Sequence, residues 1–198
     1  MNIHSRPMWH VGIAAATLAL ALTACSTDTQ PGAPKQLMPP EQAVQKLNTL
    51  LDEALSDVQP KLQYWDEWPR SSEQYSKGLD EHSLGYATAV RNRHIMTKVA
   101  PAKYGTLLGM VEQSLKAKGY TLSSSDDKSQ RAVFASAPDG SGVGIVIYSA
   151  GNINVGASVS PIPVVHDRDP FGTPTPGPTM SNGNPDTVPN YNNPFWSS

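Results

Sequence analysis

The chain has 198 residues, a formal charge of −2, one cysteine and 38% hydrophobic residues, with 18 Pro and 15 Gly. That length supports one domain with flanking segments. So small a net charge gives no field to hold nucleic acid, and a lone cysteine allows no internal disulfide.

The first element is an export signal. Met1 to His10 is polar, with Arg6 and no acid. Val11 to Leu22 is apolar and small, shorter than the roughly 18 residues of a spanning helix. Thr23 and Ala24 then precede Cys25.

Leu22-Thr23-Ala24-Cys25 resembles the lipobox of bacterial lipoproteins. The resemblance implies a diacylglycerol on the Cys25 sulfur, cleavage before Cys25 and anchoring at the extracytoplasmic face of the cell membrane. Two acyl chains on one cysteine meet the double-anchor requirement for stable membrane binding. Residues 1–24 are thus expected to be a signal peptide. Residues 25–40 would be the lipidated cysteine and a tether with four prolines.

From 41 to 59 the spacing predicts a helix, with Val44, Leu47, Leu51, Ala54, Leu55 and Val58 on one face and Pro60 as a stop. Residues 61–83 read as a loop in which Tyr64, Trp65 and Trp68 cluster. Trp65 and Trp68 are candidate interaction residues, suited to stacking on a sugar ring or anchoring an interface. Residues 84–99 read as a long strand carrying Arg91 and Arg93, a basic stripe for anionic headgroups or wall polymers. A helix over 102–118 follows, stopped by Gly119.

Residues 119–160 predict an antiparallel meander of four strands, with turns at Asp126-Asp127, at 138–142 and at a two-residue Gly151-Asn152 hairpin. Residues 41–160 are therefore expected to form one α+β domain: an antiparallel sheet of four to five strands with two helices on one face. The stretch from 84 to 160, with "RHIMTKVAPAKYGTLLGMVEQSLKAKGY" at its centre, resembles small uncharacterised lipoproteins of high-GC Gram-positive bacteria. That resemblance implies no activity.

Nine of the prolines lie in 161–198, a segment without apolar periodicity. It reads as a disordered tail, with Trp196 in "NPFWSS" a candidate docking residue. No nucleophile elbow or P-loop is present, and "HDRDP" at 166–170 offers too few convergent ligands for a metal. The expectation is a non-catalytic, lipid-anchored interaction or accessory module of the cell envelope. It needs no cofactor or metal beyond the lipid on Cys25, and its partner is an envelope protein or glycan. A small-ligand or glycan-binding lipoprotein using Trp65 and Trp68 is the alternative, and an enzyme of unknown reaction is a further one.

Overall fold

A computed structural model describes residues 36–198 apart from Leu79 and 127–129. The lipobox with Cys25, most of the tether and part of the Asp126-Asp127 turn lie outside the described residues. Helix α1 runs Pro40–Leu55, followed by strands β1 (Tyr64–Asp66), β2 (Arg70–Tyr75) and β3 (Ser83–Ile95). A 3-10 turn, Pro101–Lys103, leads into helix α2, Tyr104–Ala117. Strands β4 (Thr121–Asp126), β5 (Gln130–Ser136), β6 (Gly142–Tyr148) and β7 (Ile153–Ile162) complete the order.

Pro40 occupies the first turn of α1, where its missing N–H costs nothing, and Glu41 sits beside the positive helix end. The buried stripe is Ala43, Leu47, Leu50, Leu51, Ala54 and Leu55. It is rotated slightly from the expected face, since Val44 is only half-buried. Each fully buried leucine contributes about 2 kcal/mol through its removal from water. Gly119, at φ +82°, ends α2. The Tyr120 and Gly119 amides donate back to the Leu115 and Lys116 carbonyls at 3.1 and 3.0 Å, closing the last turn with a left-handed residue.

The sheet has seven antiparallel strands in the order β1-β3-β7-β6-β5-β4, with β2 also on β3. Strands β1 and β2 pair with successive stretches of β3, Asp66 opposite Arg93 and Arg70 opposite Val90. The expected four to five strands thus miss two. Residues 61–83 hide them because short strands at a polar edge bury too little to alternate, and Pro69 interrupts the run.

Alternate residues of β7 (Ile153, Val155, Ala157, Val159) and of β6 (Val143, Ile145, Ile147) face the helices. Helix α1 packs over β7, β3 and β6, and α2 over β5, β4 and β6. The helices are pinned together where buried Ser114 donates to the Glu53 carbonyl at 3.0 Å and accepts from Lys118 Nζ at 2.7 Å. The Gly151-Asn152 connection is longer than the expected two residues. Gly151 N donates to the Tyr148 carbonyl at 2.8 Å with φ +89°, and Tyr148 N to the Asn152 carbonyl at 2.9 Å.

The largest departure is the C-terminal segment. Residues 163–198 form an ordered strap, not a disordered tail, and belong to the same compact unit as the sheet. Trp196 is fully buried in the core and its indole N–H donates to the Pro60 carbonyl at 2.7 Å. The backbone is tied by Lys98 N to the Tyr191 carbonyl at 2.8 Å, by Tyr191 N to the Met96 carbonyl at 2.9 Å and by Ala100 N to the Trp196 carbonyl at 2.7 Å. The segment builds no core of its own. It fills a slot that the loop after α1 and the end of β3 have already built, so local periodicity carries no trace of it.

Candidate functional site

The two faces of the sheet differ in kind. On the helix-free face the register lines up transverse rows across five strands: Val90–Ser158–Gly142–Ser136–Thr121, and beside it Asn92–Gly156–Gly144–Phe134–Ser123. No charged side chain stands in either row. The central floor is glycine, and a shallow trough of about 480 Å³ lies over it. Phe134 leans across Gly144, where a Cβ would come within 2.7 Å of its ring. Phe134 and Tyr148 are each 43% exposed, while Val90 and Val146 are half-buried. The face therefore offers apolar rings, small hydroxyls and amides at the surface.

At the β1–β3 end the same face carries a polar cluster beneath the strap. His94 is buried, and its Nδ1 lies 2.9 Å from Asn154 Oδ1, its cross-strand neighbour on β7. His94 Nε2 lies 2.9 Å from Glu67 Oε1, but out of hydrogen-bond alignment. Glu67 Oε2 accepts from Asn92 Nδ2 and from Arg70, both at 3.1 Å. Partial burial pushes the Glu67 carboxyl up, but the His94 and Asn92 contacts and the Arg70 charge outweigh it and hold the group below the ordinary carboxylate range.

Trp65 covers this cluster, its ring 4.6 Å from the His94 ring at an angle of 36°. The strap covers Trp65 in turn. Gly177 sits on the indole so closely that a Cβ there would approach Cζ3 to 2.6 Å. The indole N–H donates to the Asp186 carbonyl at 2.9 Å, and the Trp68 indole donates to Asp169 Oδ2 at 3.1 Å. Both tryptophans are half-buried, so neither is the open stacking platform the sequence leads one to expect.

The arginines are also placed differently from expectation. Arg93 points to the helix side, 3% exposed. It forms a two-pronged pair with Asp66 at 2.6 and 2.9 Å, reaches Asp52 on α1 at 2.9 Å and lies 3.9 Å over the Tyr64 ring. Burial works against its charge, and Asp66 with Asp52 overcomes that and raises its pKa. Arg91 is half-buried and donates to the Glu67 carbonyl at 2.8 Å and to Asn48 Oδ1. The two are struts between α1 and the sheet edge, not a basic stripe. Trp196, buried in the core, presents nothing to a partner. Cys25 lies outside the described residues.

Among the described residues no three His, Cys, Asp or Glu side chains converge as a metal site, and no helix is long and apolar enough to cross a membrane. The open trough was not legible in the sequence. Its only local signal is the glycine spacing at 142, 144 and 156, which acquires meaning once the register sets those positions side by side.

An antiparallel sheet with two helices on one face, and a strap over one end of the other, defines an α+β domain that leaves part of one sheet face open. No family model and no curated protein matches the chain. Its backbone is similar to that of a crystal structure of a DUF4853 family protein from Actinomyces odontolyticus ATCC 17982, with a TM-score of 0.46 and 12% identity, covering 76% of this chain and 82% of that one.

Proposed function

We propose that this chain is a lipid-anchored, extracytoplasmic module of the cell envelope that works by binding, with the open half of the helix-free sheet face as its contact surface. The observation that supports this reading is the exposure of Phe134 and Tyr148 beside an uncharged glycine floor, where most sheets of this class are either covered or polar. Aromatic rings standing over small residues give an envelope partner area to desolvate and pockets to enter. The Leu22-Thr23-Ala24-Cys25 motif supplies the anchor.

The test is in-cell photo-crosslinking from probes at Phe134 and Tyr148, with a probe at Gln113 on the exposed side of α2 as control. The expected result is one discrete product from the sheet face, none from Gln113, and loss of the product in Cys25→Ala. No product, or an equal one from Gln113, removes this surface from the proposal. A Cys25→Ala chain that still fractionates with membranes removes the anchor.

A further inference from the structure

The strap is held very unevenly. At its C-terminal end Trp196 is buried, and four backbone bonds tie the segment to the 96–100 stretch. At its N-terminal end Phe171 packs on the core and Asp169 holds Trp68. Between them, residues 172–185 are exposed. Their hydrogen bonds are largely internal: Asp186 N to the Pro178 carbonyl, Met180 N to the Asn184 carbonyl and Gly183 N to the Met180 carbonyl, at 2.8 to 2.9 Å. What ties this middle section to the body is Gly177 on the Trp65 ring, the Trp65 N–H to Asp186, and Asn152 Nδ2 to the Thr187 carbonyl at 2.8 Å.

The strap therefore rests in a groove made by Trp65 and Trp68. A crevice of about 230 Å³ remains beside it, edged by Thr175, Pro178 and Pro185. The occupant reads T-P-T-P-G-P over 173–178. Prolines hold such a segment extended before it binds, so little ordering entropy is lost on docking. The groove supplies what such a segment needs: an indole face, a second indole beside it and one N–H donor for a backbone carbonyl.

We propose that the Trp65–Trp68 groove is a docking site for an extended proline-rich segment of another envelope protein, and that the chain's own strap fills it until displaced. A second copy of this chain is the poorer occupant, because its strap is fastened at both ends to its own body. Displacement leaves Trp196 and Phe171 in place, so the domain stays folded while residues 172–187 bow outward. The groove is a different surface from the Phe134–Tyr148 trough; the partner's place in the envelope rests on the proposed function, while the peptide test of the groove does not.

The experiment uses the full chain with Gly177→Val, whose side chain collides with the Trp65 ring, and a synthetic peptide of residues 173–188 as the probe. A tethered competitor acts at an effective concentration of order millimolar. Freeing the groove should therefore tighten peptide binding by about tenfold or more over the native chain. A peptide with alanine at its prolines should not bind, and adding Trp65→Phe to Gly177→Val should weaken binding. Pro174→Ser/Pro176→Ser/Pro178→Ser loosens the strap without the collision and serves if Gly177→Val misfolds. Native-like melting with no gain in peptide affinity in either variant overturns the proposal. A Gly177→Val dimer in sedimentation also overturns it, by assigning the groove to a second copy.

Discussion

Trp196→Ala tests whether the C-terminal strap is part of the fold. The ring is fully buried and its N–H bonds the Pro60 carbonyl at 2.7 Å. A buried tryptophan removes about 200 Å² from water, which at about 25 cal/mol per Å² is an upper limit near 5 kcal/mol. Measured losses for Trp→Ala run about 3–5 kcal/mol, and the orphaned carbonyl works in the same direction. The expected destabilisation is therefore about 4 kcal/mol, or roughly 8–16 °C in Tm for a domain of this size. Urea unfolding of the chain and of the variant, with hydrogen exchange over 189–198, measures it. A loss below about 1 kcal/mol, with unprotected amides in that segment of the native chain, would instead show a free tail.

Arg93→Met should cost about 3 kcal/mol, because it leaves Asp66 partly buried and unpaired. Asp52→Asn on the solvent side of the same cluster should cost under about 1 kcal/mol, and the two melting temperatures separate these cases. Gly119→Ala places a Cβ at φ +82° and should lower stability by about 1–2 kcal/mol in urea unfolding. Asp139 bonds Lys46 and Ser141, which hold its pKa near 2. The folded value lies below the unfolded one, so the unfolded chain binds the extra proton and this stabilisation is lost as pH falls from about 4 to 2. Asp139→Asn should flatten the acid limb of a stability–pH curve in that window, and an unchanged limb would count against the pair.

The parts of this protein that the sequence determined are those whose signal is local. The stripe of α1, the stop at Gly119 and the alternation of β6 and β7 each follow from a repeat of 3.6 or 2 residues, or from one residue's backbone freedom. Tertiary structure decided the rest. Strands β1 and β2 exist because β3 is long enough to pair both along one edge. Arg93 became a strut because α1 brings Asp52 over the residue facing Asp66. Glycines 142, 144 and 156 became a floor only when register set β6 and β7 side by side. Trp196 is the sharpest case. Its slot is built by Pro60 and Ala100, far away in the chain, so nothing in the residues around it says that it is buried. Burial of a single anchor depends on a cavity made elsewhere, and only the folded chain supplies that cavity.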